Sequence, residues 1–350
     1  MDIRNADGSE ARFEKYVAEL VSVIGHADRA KPLHDYCVGL MMPGERKSVE
    51  PMAAITAPWR VAAQHQSLLH FVGQAPWSDE EVLSKVRQLV LPAMQRREPI
   101  KAWIIDDTGL PKQGKHSVGV ASQYCGQLGR KANCQVAVSL SIANHRASLP
   151  IVHRLYLPRQ WAEDEPRRRK AGVPSDIKFK TKQQIALDHL RWACDAGLPR
   201  GVVLMDADYG RDGRLRTEIT AMGLLYVVGI QPSALVWKPG TGPRPGRKPP
   251  QEGRRGEPNL ISVKELALGL PAHAWRTVEW RQGTAKQLSS RFARLRVRVA
   301  HRYAPAEGPA EEWLLIEWPE DEQEPIKYWF STLARNVSFR DLVDTAKLRW

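Results

Sequence analysis

The hydrophobic period of the chain changes near residue 100, and this change limits the available folds more than any other feature. In SEARFEKYVAELVSVIGH (9–26) apolar residues recur at Phe13, Val17, Leu20, Val21 and Ile24 behind a capping Ser9, the spacing of one helical face. SDEEVLSKVRQLVLPAMQ (78–95) opens with Ser78 and Glu81 and continues through Val82, Val86, Leu89 and Val90, again a capped helix. PWRVAAQHQSLLHFVGQAPW (58–77) lies between them as a third helix candidate. From Ala102 the period shortens. AWIID (102–106), VGVASQY (118–124), CQVAVSLSIA (134–143) and IVHRLYL (151–157) follow as strands with Gly-rich connections. Strands in direct succession predict an antiparallel meander.

Helix-linked strands come next. TKQQIALDHLRWACDAG (181–197) reads as a helix and GVVLMDAD (201–208) as a strand; RDGRLRTEITAMG (211–223) is a shorter helix before the strand LLYVVGI (224–230). Fully apolar strands joined by helices are buried on both faces. A meander followed by such units is the order of a ribonuclease-H-like α/β core. KPGTGPRPGRKPPQEGRRGEP (238–258) holds six Lys or Arg and two Glu, and so much Pro and Gly cannot build a core. It reads as a basic loop, either touching a phosphate backbone or simply solvated. The Trp-rich strands AWRTVEWRQ, SSRFARLRVRVAHRY, EEWLLIEWPE and IKYWFSTLA follow, then a helix from Ser338 with Phe339, Leu342, Val343, Ala346 and Trp350 on one face. The expected organisation is a helical region over 1–98 that is a candidate for DNA binding or a cap, a core over 99–232, an inserted antiparallel β-rich region over 233–336, and the start of a further core helix over 337–350.

Charge narrows the partners. The chain carries 52 Lys and Arg against 39 Asp and Glu, a net +13, which favours an acidic partner such as nucleic acid or an anionic surface. Cys37, Cys125, Cys134 and Cys194 form no CxxC pair, which fits a reducing compartment better than a disulfide framework or zinc site. With no apolar leader and no membrane-length run, the expected location is the cytoplasm.

Two strands end in acids: Asp106 and Asp107 after AWII, and Asp206 after VVLM, with Asp208 close behind. Strand ends are where α/β folds hold their chemistry. Facing carboxylates repel unless cations lie between them, and all-oxygen ligation suits Mg²⁺. Two such ions about 4 Å apart serve in-line phosphoryl transfer. Lys112, Lys115 and His116 then have phosphates as partners. Asp-Thr-Gly is also an ordinary turn sequence, and Asp206 is equally placed to cap a helix. Both readings stand on pattern alone.

The run IIDDTGLPKQGKHSVGVASQYCGQLGRKANCQVAVSLSIA, with LPIVHRLYLP, FKTKQQIAL and GVVLMDADYGRDGRLR, resembles the IS701-like group of insertion-sequence transposases, within the IS4-type DDE class. The resemblance runs from about residue 20 to the end. It implies a ribonuclease-H-like core with three metal-binding acids, the first before a Thr, hence Asp107, and the second Asp206, with Asp106 as the alternative first acid. It implies Mg²⁺ or Mn²⁺, double-stranded DNA (insertion-sequence ends and target) as substrate, and a homodimer on paired ends. The third acid in similar proteins is a Glu on a late helix; no Glu follows Glu324 here, so the chain alone is expected not to cleave. Phosphate contacts are expected from Lys112, Lys115, Arg130, Lys131, Arg244, Arg247, Lys248, Arg254 and Arg255. Two other functions fit the residues: a remnant that binds DNA without cutting it, and a metal-dependent nuclease unrelated to transposition.

Overall fold

A computed structural model describes residues 3–44, 47–242, 259–282, 287–300 and 310–348. The chain divides into two compact units, Met1–Ala93 and Met94–Trp350.

The first unit is helical: α1 (Ile3–Val21), α2 (Ala30–Met41), α3 (Val49–Thr56), α4 (Val61–Gly73) and most of α5 (Asp79–Arg97). Val17 and Leu20 bury one face of α1, with Ile24 just beyond its end, against Leu33 and Phe71, as the 3.6-residue period requires. Ser78 caps α5 by accepting from Glu81 N at 3.2 Å. Ser9 does not cap α1, which already begins at Ile3. A serine inside a helix costs at most about 0.7 kcal/mol against alanine, so it does not stop a helix whose next turns are buried. A polar knot ties α2 to α4: the carboxylate of Asp35 accepts from Lys31 Nζ and from Gln64 Nε2, both at 2.8 Å.

The second unit is built on a ten-stranded sheet. Its first strands are β1 (Ala102–Pro111), β2 (Ala121–Cys125), β3 (Arg130–Ala143) and β4 (Ser148–Leu155). Two short helices, α6 (Arg159–Ala162) and α7 (Glu165–Lys170), lead to α8 (Lys182–Asp195). Then come β5 (Val202–Met205), α9 (Ala207–Gly210), α10 (Gly213–Ala221) and β6 (Tyr226–Ile230). β3 pairs antiparallel with β1 on one edge, and with β2 and β4 on the other. β1, β5 and β6 are parallel neighbours. This order is the ribonuclease-H-like core expected from the succession of elements. α8 lies on β3, with buried His189 Nε2 3.2 Å from Val138 O.

After a small pair, β7 (Leu235–Trp237) with β8 (Leu260–Ser262), and α11 (Val263–Leu268), the chain forms β9 (Arg276–Gln282), β10 (Gln287–Arg298), β11 (Glu311–Trp318) and β12 (Lys327–Ser331). These Trp-rich strands do not make a sheet of their own. β12 pairs antiparallel with β6, so β9 to β12 extend the core sheet. An uncovered β6 would leave a row of unpaired N–H and C=O groups, and β12 satisfies them. α12 (Phe339–Lys347) is capped by Ser338, which accepts from Asp341 N at 3.0 Å. It buries Leu342, Val343 and Ala346 with Leu204, Val227, Leu315 and Trp329, the face its periodicity predicts. Beside them Lys347 Nζ lies 2.6 Å from both oxygens of Glu317 and 4.3 Å from the Trp280 ring centroid.

Candidate active site

β1 and β5 run parallel in the register Ala102 with Val202, Trp103 with Val203 and Ile104 with Leu204. Both apolar runs therefore reach the same level of the sheet, and their acids follow immediately; β5 stops there, whereas β1, expected to end at Asp106, runs on to Pro111 because β3 continues to pair with it. Continued past Ile104, the register brings Asp106 level with Asp206. Strand alternation sends Asp106 to the face of Ala102 and Ile104, and Asp107 to the face of Trp103 and Ile105.

Asp206 leaves β5 with extended backbone and caps α9; its Oδ1 accepts from Asp208 N at 3.0 Å and Tyr209 N at 3.2 Å. The capping role open in the sequence is thus realised. It does not remove Asp206 from the site, because α9 is folded tightly onto the sheet. A Cβ on Gly210 would stand 1.9 Å from Gly229 O, and one on Gly229 would stand 3.0 Å from Ala207 N. No other residue permits that approach. α9 in turn delivers Tyr209, which is 1% exposed, and whose hydroxyl donates to Asp107 Oδ1. One residue therefore links both acids, held at its amide by Asp206 and reaching Asp107 with its hydroxyl. Burial first, and then the Asp107 carboxylate, push that hydroxyl far above its ordinary pKa, so it stays a donor.

The other Asp107 oxygen accepts from Lys182 Nζ. Lys182 is the first residue of α8, behind a full capping box of Thr181 and Gln184. Gln183 Nε2 donates to Asp208 O at 3.2 Å, joining the start of α8 to α9. Asp106 Oδ1 accepts from Asp107 N at 2.8 Å. Neither Lys182 nor Tyr209 was singled out in the sequence. The signals were present in TKQQ, a capping-box pattern, and in the Tyr that falls in the first turn after the capping Asp206.

Lys112 and Lys115 follow the end of β1, and Arg130 and Lys131 open the neighbouring β3. The loop after β1 is pinned by Asn133 Nδ2, which donates to Lys112 O at 2.7 Å and Gly114 O at 2.9 Å. Arg167 Nη2 donates to Lys115 O at 2.7 Å while its guanidinium lies 3.6 Å from the Trp161 ring centroid. Arg130 and Lys131 open β3 and are exposed. Arg244, Arg247, Lys248, Arg254 and Arg255 lie outside the described residues.

The donors gathered here are hard carboxylate oxygens, and one of them already faces a cation. That chemistry fits a divalent ion, with water completing the shell. No group of three or more His, Cys, Asp or Glu side chains in metal-holding arrangement occurs among the described residues. No helix among them is long and apolar enough to cross a membrane.

A family described as DDE superfamily endonuclease matches residues 19–287, which include Asp107, Asp206 and the α8 and α9 elements that join them. The chain belongs to the DDE superfamily endonuclease family. It is also similar to a probable transposase for insertion sequence element IS701 from Microchaete diplosiphon, with 29% identity over 202 residues, or 57% of this chain. The alignment spans 48% of that relative, about half its length. In this chain Asp106 and Asp107 lie on β1, and Asp206 follows β5 as the cap of α9.

Proposed function

We propose that this DDE endonuclease is an insertion-sequence transposase that cuts element-end DNA by metal-dependent hydrolysis and joins the freed 3′-hydroxyl to target DNA. The observation that carries the reading is the convergence of Asp107 and Asp206 on Tyr209 at one end of the core sheet. In this reading Asp107 and Asp206 hold Mg²⁺ or Mn²⁺, which supplies Lewis acidity at the scissile phosphate. Tyr209 fixes the orientation of Asp107 through Oδ1. Lys112, Lys115, Arg130 and Lys131 bind the phosphate backbone and position the strand; such contacts set register without reading bases. The basic 238–258 segment adds sequence-independent contacts. A homodimer on paired DNA ends and action in the cytoplasm belong to the same proposal.

A second assignment of the first acid has an observation behind it. Asp106 continues the β1–β5 register to Asp206 and shares its side of the strand pair. Nicking of a duplex that carries the element ends, in Mg²⁺ or Mn²⁺, separates the readings. The chain alone, with no Glu after Glu324, is expected not to nick; wherever nicking is supported, Asp107→Asn and Asp206→Asn are expected to abolish it and Asp106→Asn to preserve it. The reverse result for the doublet moves the ligand to Asp106. Binding to the ends without nicking identifies a binding protein, and equal cutting of any duplex identifies a general nuclease.

A further inference from the structure

Lys182 is placed with more care than a surface lysine needs. The capping box of Thr181 and Gln184 fixes its turn, and Gln183 ties that turn to α9. Lys180, on the same approach, is engaged with Asp188 at 2.5 Å. Lys182 turns instead to Asp107 Oδ2, its Nζ 6.0 Å from the Tyr156 ring centroid. The two side chains remain 28% and 24% exposed, and pairs so open to water add little to stability. Their arrangement therefore calls for an explanation at the site.

Resting on the metal reading above, we infer that Lys182 is the resident counter-cation of the acid site. It is a positioning residue that pairs Asp107 Oδ2 while no ion is bound, and competes with a divalent ion for that oxygen. One carboxylate oxygen does not serve an ammonium and a hard dication equally, since the two positive charges repel at that range. Tyr209 holds Oδ1 throughout, so the carboxylate keeps its direction when the cation changes. The four-carbon stem of lysine lets the ammonium withdraw without moving α8. Lys182 thus keeps Asp107 aimed in the ion-free chain and sets the ion concentration at which the site fills.

The test is a calorimetric Mn²⁺ titration of the full chain without DNA, so that activity plays no part. Lys182→Met is expected to bind Mn²⁺ about fivefold more tightly than wild type, through relief of like-charge repulsion. Lys182→Gln, a second neutral variant, should show the same gain, and Lys182→Arg should stay close to wild type. In EDTA both neutral variants should melt close to wild type, so that the gain is read in Mn²⁺ binding and not in stability. Equal or weaker Mn²⁺ binding by folded Lys182→Met and Lys182→Gln, with binding still lost in Asp107→Asn, overturns the counter-cation role and leaves the metal site standing. Binding absent from wild type, or indifferent to Asp107→Asn, overturns the site and this role with it.

Discussion

The two units differ in how they treat charge. Residues 1–93 carry ten Lys and Arg against twelve Asp and Glu, whereas residues 94–350 carry 42 against 27. The whole basic excess, and with it the attraction for an acidic polymer, resides in the sheet unit. The units also bury charge differently. In the helical unit Asp35 is held by Lys31, whose side chain is 66% exposed, so water shares the cost. In the sheet unit Lys347 and Glu317 have side chains only 6% and 4% exposed, so each depends on the other. The net charge of a chain therefore says little about where its charges act.

The largest effect expected from this contrast is in the sheet unit. Glu317→Gln leaves a buried ammonium without its counter-charge and should cost about 3–5 kcal/mol, read by denaturant unfolding and by faster amide exchange in β11 and α12. The double variant Lys347→Met/Glu317→Leu should recover most of that loss, because an apolar pair avoids desolvating two charges. A loss under 1 kcal/mol from Glu317→Gln would mean that water reaches the pair.

The helical unit should respond less. Asp35→Ala removes the acceptor for Lys31 and Gln64 and should cost about 1–3 kcal/mol, measured by amide exchange in α2 and α4. An effect equal to that of Glu317→Gln would erase the distinction between the two kinds of burial.

Acid should separate the units in order. Burial holds the His189 imidazole below its ordinary pKa of 6.5, so the unfolded chain takes up a proton that the sheet unit resists. Sheet-unit stability should fall as pH drops from 6.5 towards the lowered folded value. At Asp35 burial pushes the carboxyl up, but hydrogen bonds from Lys31 and Gln64 outweigh it and hold the group below its ordinary 3.8. That contribution is intact above pH 3.8 and is lost as pH falls through the lowered value. Amide exchange against pH should show β3 and α8 loosening before α2 and α4, and His189→Gln should remove the upper step.

The smallest effects per residue concern DNA. Replacing Lys112 or Lys115 by Gln should lower the slope of log K against log salt by about 0.9 for each lost contact. Replacing Lys31 or Lys85 in the helical unit should leave that slope unchanged. A slope that follows the helical lysines would place the phosphate path in the wrong unit.

Much of this architecture was legible before any coordinates. The period of α1 and α12 identified their buried faces because a helix repeats every 3.6 residues whatever it packs on; in α5 the expected Val82, Val86, Leu89 and Val90 are only half-buried, and Leu91 and Met94 are the buried residues. The position of Asp206 at the end of β5 was legible because an apolar run that stops at a carboxylate marks the edge of a core, whereas Asp107 does not end its strand, since β1 runs on to Pro111 along β3. The start of α1 was misplaced because a Ser–x–x–polar pattern marks a helix start only when nothing upstream continues the helix, and Ser9 had Ile3 to Gly8 before it.

Local periodicity and composition determined the helical and strand-rich regions, their order, the acids that follow the apolar runs and the basic excess, since each depends only on neighbours in the chain. Tertiary structure decided which elements meet. It added β12 to β6, so the Trp-rich strands lengthened the core sheet. It brought Gly210 against Gly229, so that α9 could carry Tyr209 to Asp107. It turned Lys182 to the same carboxylate, 75 residues away along the chain. Hydrogen bonds of that range are set by the packing of sheet and helices, and sequence spacing carries no record of them.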